Sequence, residues 1–138
     1  MKERVRFAPS PTGPLHIGGL RTALFNYLFA KNKKGSFILR LEDTDRNRLV
    51  ENSDSYIEEA LKWIGVVPEE GPSVGGEYGP YKQSERINLY NEKIQILIDS
   101  NNAYYAFDTN EDLSVLRKEE EEKGLVFKYG YSVRGSLD

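Results

Sequence analysis

The chain has 138 residues, the size of one domain by the prior of roughly 100–200 residues per domain, and its 38% hydrophobic and 12% aromatic content excludes wholesale disorder. With no cysteine and a single histidine, His16, it offers no disulfide, no thiol nucleophile and no zinc site built on Cys or His clusters. Its net charge of −3 divides into +6 over residues 1–50 and −9 over residues 51–138, so the basic front half suits a phosphate-bearing ligand, unless it is only an uneven solvated surface.

No apolar stretch approaches the length of a membrane span, and Met1 runs straight into Lys2-Glu3-Arg4-Val5 without a signal-peptide pattern. The expectation is a cytoplasmic protein with no membrane contact. The first predicted strand is Arg4–Ala8, where Val5 and Phe7 alternate with two arginines. A helix follows from about Gly19 to Asn32. Its Leu20, Ala23, Leu24, Tyr27 and Leu28 follow the i, i+3, i+4 pattern of a buried stripe, and Phe25 and Phe29 widen it enough to predict cover on two sides. A second strand, Phe37–Glu42, puts Phe37, Leu39 and Leu41 on one face. Strand, helix and strand in some forty residues make a βαβ unit, hence an α/β fold with a parallel sheet and a right-handed crossover.

Ser55 and Glu58 fit a capping box for a helix over 54–64, with Ile57, Ala60, Leu61 and Ile64 as its apolar face. The Gly/Pro cluster over 65–81 reads as a long surface loop. A third long helix is expected from Ser84, with Ile87, Tyr90, Ile94, Leu97 and Ile98 inward. Ala103–Phe107 reads as a short strand. Thr109 with Asp112 caps a last helix whose Lys118–Lys123 run is a solvated face, and the tail from Leu125 to Asp138 carries only weak strand signals. Trp63, Tyr104 and Tyr105 are expected in core or interface packing.

The chemistry concentrates in Ala8-Pro9-Ser10-Pro11-Thr12-Gly13-Pro14-Leu15-His16-Ile17-Gly18-Gly19, which leaves a strand's C-terminal end and opens a helix. Open α/β sheets bind ligands there. Gly18 and Gly19 would let a base or phosphate approach the backbone, and the helix N-terminus directs free N–H groups at an anion. His16 could donate to a phosphate oxygen as charge builds on it. The plainer alternative is a tight turn with a structural histidine.

Three separated segments together resemble the class I glutamyl-tRNA synthetases: Arg6–Gly13 with His16-Ile17-Gly18-Gly19 and Arg21–Tyr27, then Arg40–Arg46, then Tyr78–Arg86. The resemblance spans most of residues 4–107. Glycine in place of the second histidine of the "HIGH" pattern is typical of that branch. It implies the N-terminal half of a Rossmann-type nucleotide-binding domain over 1–102 and the start of an inserted acceptor-stem-binding domain over 103–138. It also implies ATP with Mg²⁺, L-glutamate and tRNA(Glu) as partners, and a full-length enzyme that is a monomer. Carried onto matching positions, Thr12, His16, Gly18 and Gly19 would form the ATP site, with His16 catalytic at the α-phosphate. Arg6, Ala8, Ser10 and Glu42 would hold glutamate.

A guanidinium at Arg6 can fork onto a carboxylate, and Glu42 can face an α-ammonium group. The alternative pairs Arg6 with Glu42 as a salt bridge within the sheet. Asp43, Asp45 and Arg46 would order the adjoining loop by mutual pairing, or cap a turn. Some relatives bind zinc through cysteines after the third long helix. Tyr104–Asp108 stands there in this chain, so no zinc is expected. The second half of the nucleotide fold, its "KMSKS" loop and an anticodon domain do not occur in the sequence, which suggests a fragment that would not activate glutamate alone. Two other readings share these motifs: the shorter paralogue that glutamylates a modified base in tRNA(Asp), and a non-catalytic nucleotide- or RNA-binding module.

Overall fold

The computed structural model describes residues 2–130. The chain divides into two compact units, Met1–Lys93 and Ile94–Asp138. The first is built on a parallel pair of strands, β1 (Arg4–Phe7) and β2 (Ser36–Leu39), joined through helix α1 (Ile17–Asn32). Arg4 pairs with Ser36, Val5 with Phe37, Arg6 with Ile38 and Phe7 with Leu39. Paired residues share a face, so this register separates an apolar face from one carrying Arg4, Arg6 and Arg40.

The apolar face is the core. Phe37 and Leu39 are fully buried, Leu41 continues their row, and Ala23 and Ala30 bring α1 down onto both strands. Tyr27 meets the Phe37 ring edge-on at 5.8 Å. Helix α2 (Ser53–Trp63) closes the core with Ile57 and Leu61. Its apolar spacing is as expected, but its start is not. Asn52 holds the N-cap position in a left-handed conformation without a side-chain cap, Ser55 lies inside the helix, and Glu58 accepts instead from the Ser73 hydroxyl. The expected Ser55–Glu58 capping box does not form.

Helix α1 is covered on one side rather than two. Leu24, Phe25, Leu28 and Phe29 are all exposed, because a helix laid on two strands has one flank to bury. Trp63 is 87% exposed, on the flank of α2 opposite Ile57 and Leu61, so it is no core residue.

The Gly/Pro-rich segment is more than a surface loop. The Leu39 N–H donates to Glu70 O and the Glu69 N–H to Phe37 O. Farther on, the Leu41 N–H donates to Tyr81 O and the Gln83 N–H to Leu41 O. Both ends therefore run parallel to β2 and fill its outer edge in two pieces, bridging at Ile38–Glu70 and Leu41–Lys82. Val66 and Tyr81 are buried as a result.

A 3-10 turn, Gln83–Arg86, precedes helix α3 (Ile87–Asp99), within which the two units divide. No residue of α3 is buried. Ile87, Ile94 and Leu97, expected inward, are exposed, while Tyr90 and Ile98 are half-buried. In the second unit Ala103–Phe107 forms no strand. Tyr104 and Tyr105 are exposed, with Tyr105 stacked on Phe107 at 6.3 Å. Helix α4 (Asn110–Glu122) starts on the predicted capping box, Thr109 N–H to Asp112 Oδ2 at 2.8 Å and Asp112 N–H to Thr109 Oγ1 at 3.2 Å. The weak strand signals of the tail lie largely outside the described residues, since 131–138 are not among them.

Candidate functional site

Three separated sequence segments are tied together at the C-terminal ends of β1 and β2. The Glu42 N–H donates to Pro9 O and the Val50 N–H to Pro11 O, which joins the first segment to the second. The Asp43 carboxylate accepts from the Ser84 N–H at 2.8 Å and the Ser84 hydroxyl at 2.6 Å, which joins the second to the third. Burial pushes the Asp43 carboxyl up, but the two Ser84 bonds and the charge of Lys82 outweigh it and leave the group below its usual range. Lys82 in turn bonds Asp54 at 2.7 Å. These pairings differ from the sequence expectation: Asp45 pairs with Arg48 at 2.6 Å, and neither Asp43 nor Asp45 pairs with Arg46.

The loop from β1 to α1 encloses a cavity of about 480 Å³ lined by Ser10, Thr12, Leu15, His16, Gly19 and Arg48, over a floor of Phe7 and Ile57. That volume suits a small-molecule ligand. His16 is the N-cap of α1, and its Nδ1 accepts from the N–H of Gly18 at 3.1 Å and of Gly19 at 3.4 Å. Two of the N–H groups expected to meet an anion are therefore occupied by the imidazole. With Nδ1 an acceptor, the ring proton sits on Nε2, which leaves one donor for a ligand. Gly18 leaves the room this cap needs, and Gly19 lies close under Leu15. A Cβ on Gly18 would lie 2.9 Å from His16 Cε1, and one on Gly19 would lie 2.7 Å from Leu15 Cδ1.

A second, smaller cavity of about 180 Å³ lies on the arginine face of the sheet, lined by Arg4, Arg6, Arg40, Arg86, Tyr78 and Tyr81. The salt bridge considered between Arg6 and Glu42 does not form. Glu42 pairs with Arg40 at 3.0 Å, and the Arg6 side chain has no hydrogen bond or ion pair among the described residues. Ser10 lines the larger cavity with Thr12, His16 and Gly19, whereas Arg6 lines the smaller one. Ala8 and Glu42 are half-buried beyond the strand ends. Arg4, Arg40, Arg48 and Arg86 also line these cavities and are not among the site residues expected from the sequence. Alternation in β1 and β2 was the available signal for Arg4 and Arg40. Arg48 reaches its cavity from a loop and Arg86 from the 3-10 turn, placements that no periodicity encodes.

The family model "tRNA synthetases class I (E and Q), catalytic domain" matches residues 2–134. The glutamate–tRNA ligase of Christiangramia forsetii is 59% identical over 136 residues, and that of Flavobacterium psychrophilum 58% over 135. These alignments cover 99% and 98% of this chain and 27% of each relative, so the chain spans about a quarter of the length of the proteins it matches. The crystal structure of a glutamate–tRNA synthetase from Elizabethkingia anophelis superposes with a TM-score of 0.91 at 56% identity, covering 99% of this chain and 28% of that one. A glutamate tRNA ligase from Elizabethkingia meningosepticum, solved in complex with its amino acid, superposes at 0.90 with 56% identity over 99% of this chain and 27% of that one. The motifs, the parallel βαβ core and these matches agree: the chain belongs to the catalytic domain of the class I tRNA synthetases (E and Q).

Proposed function

We propose that this chain supplies the front of a glutamate–tRNA ligase active site, where glutamate and ATP form glutamyl-adenylate before transfer to tRNA(Glu). The observation that carries the reading is the 480 Å³ cavity at the strand ends, which gathers Ser10, Thr12, His16 and Gly19 around one space. ATP occupies it, with Thr12 and Gly19 on the wall of the phosphate path and Gly18 holding the His16 ring beside them. His16 holds its Nε2 proton toward the α-phosphate, where negative charge grows as pyrophosphate departs. Arg6, without a partner among the described residues, takes a carboxylate of glutamate from the smaller cavity, and Ser10 in the larger one, with Ala8 and Glu42 beyond the strand ends, meets the rest of the amino acid beside ATP.

Mg²⁺ enters as part of the nucleotide substrate. The protein's role is to bind the phosphates that carry it. The segment from residue 103 onward begins the acceptor-stem-binding insertion. The working enzyme is a cytoplasmic monomer, and no helix among the described residues is long and apolar enough to cross a membrane.

The test is a hybrid enzyme in which this chain replaces the 136 matched residues of the Christiangramia forsetii ligase. Glutamate-dependent ATP–pyrophosphate exchange in the presence of tRNA(Glu) should stay within about tenfold of the parent. A folded hybrid that exchanges with no amino acid, or that charges tRNA(Asp) instead, would overturn the assignment.

A further inference from the structure

The arginine face carries four guanidinium groups, and three of them are engaged through their terminal nitrogens, although Arg40 Nε and Arg86 Nε are buried without a partner among the described residues. Arg40 is paired with Glu42. Arg86 Nη1 donates to Tyr78 O at 3.2 Å and Pro80 O at 2.8 Å. Arg4 Nη2 bonds Glu70 Oε2 at 2.7 Å, and its guanidinium lies 3.9 Å over the Tyr78 ring. Arg6 alone of the four has no side-chain partner among the described residues.

Glu70 is built into this arrangement. Its side chain is 15% exposed, and the Tyr81 hydroxyl donates to the same Oε2 that Arg4 bonds. Burial, and then the neighbouring Glu70 carboxylate, raise the Tyr81 phenol above its ordinary value, so it remains a donor. Tyr81 Oη also accepts from the Tyr78 N–H at 3.2 Å, which ties the loop wall to the same carboxylate. Gly76 passes this pair so closely, at φ +144°, that a Cβ there would lie 2.4 Å from Tyr81 Oη and 2.9 Å from Glu70 Cγ.

We propose that Glu70 sets the anion selectivity of the arginine face: by occupying Arg4 it leaves Arg6 as the one guanidinium of the four without a side-chain partner among the described residues, open to a carboxylate. Arg4 and Arg6 stand two residues apart on one face, about 6.6 Å along the strand. Without the Glu70 charge both side chains can converge on one group, and a doubly charged phosphate becomes the better ligand. Arg4 is then a latent second anion donor held off by Glu70. The inference rests on the reading that Arg6 takes a glutamate carboxylate.

The experiment is an NMR titration of the 138-residue chain with L-glutamate and, separately, O-phospho-L-serine, at a pH above the phosphate's second ionisation near 6. The wild type should favour glutamate. Glu70→Gln should shift the ratio of affinities toward O-phosphoserine by about tenfold, and the Arg4→Gln/Glu70→Gln double variant should restore the wild-type ratio. Arg4→Gln alone should act in the opposite sense. It frees Glu70 to take Arg6, so glutamate binding should weaken by about tenfold. That variant decides the matter if Glu70→Gln does not fold. An unchanged ratio in Glu70→Gln, or unchanged glutamate binding in Arg4→Gln, overturns the proposal while Arg6→Ala still weakens glutamate. Unchanged glutamate binding in Arg6→Ala overturns the glutamate subsite itself, and this inference with it.

Discussion

The two faces of the β1–β2 sheet start from the same alternating strands and come to opposite ends. On one, Phe7, Phe37, Leu39 and Leu41 meet α1 and α2 and are sealed, with Val5 partly covered beside them. On the other, Arg4, Arg6 and Arg40 line an open cavity, and acids are rationed among them so that Arg4 and Arg40 have partners and Arg6 has none among the described residues. A guanidinium left unpaired beside two paired ones is no requirement of folding. The apolar face is therefore where stability resides, and the charged face is where composition is free to serve a ligand.

That contrast can be broken from either side. The largest effect should come from Phe37→Ala, which empties a fully buried site beneath Tyr27. It should cost about 3–5 kcal/mol in a denaturant titration of the chain, a large fraction of a small domain's total stability. A loss below about 1 kcal/mol would mean that the apolar face is not the core described above.

Next in size is the strand-end histidine, which separates two roles within one ring. In the hybrid enzyme His16→Ala should lower kcat by about two to three orders of magnitude with little change in KM for ATP. It should also lose the N-cap of α1, at about 1 kcal/mol of stability. Asn is a strong N-cap residue, so His16→Asn should recover most of the stability and little of the rate. Recovery of both would reduce His16 to a cap.

Much of this was legible in the sequence, and the failures share a cause. Alternation in β1 and β2, the Ile57–Leu61 spacing and the Thr109–Asp112 box are local patterns, and each appears in the structure. Leu24, Phe25 and Phe29 stay exposed against expectation, since helical periodicity says that a face is apolar, not whether anything lies against it. The glycines and prolines of the 65–81 segment speak for turns, while its sheet bonds are made by backbone to a distant strand. At the site, the chain order of the motifs located the strand ends. It could not show that His16 would spend Nδ1 on Gly18 and Gly19, or that Glu42 would turn to Arg40 rather than Arg6.

The charged face has its own test, smaller in energy but sharper in what it separates. Arg6→Ala removes an exposed side chain with no partner among the described residues, so chain stability should move by less than about 0.5 kcal/mol. In the hybrid, KM for glutamate should rise about ten- to a hundredfold while KM for ATP holds, as expected for a lost charge-assisted contact of about 1.5–3 kcal/mol. Equal effects on both substrates would remove Arg6 from the amino-acid subsite. A large loss of stability would remove the distinction between the faces.

The smallest effect belongs to neither face but to the ties at the strand ends, and it should appear as acid sensitivity. Asp54 is held below the usual carboxylate range first by its bond from Lys82 and then by the Ser55 N–H, against a burial that pushes it up. Asp43 is depressed as well, its burial outweighed by Ser84 and Lys82. A carboxylate lowered on folding stabilises the folded chain fully above its unfolded value, near 3.9, and loses that contribution as pH falls through the lower folded value. Lys82 is raised, chiefly by its bond to Asp54, so its share is lost only as pH climbs past the lysine range and leaves the acid limb alone. The melting temperature should thus hold from pH 7 to about 5 and then decline. With both partners of the Asp54–Lys82 pair about one-third exposed, the pair contributes under about 1 kcal/mol. Asp54→Asn should therefore lower the plateau slightly and flatten the decline, since its amide has no proton to take up. An acid limb unchanged in Asp54→Asn would place the sensitivity elsewhere, with the Glu69 carboxylate, also depressed in its pairing with Lys31, the next to substitute.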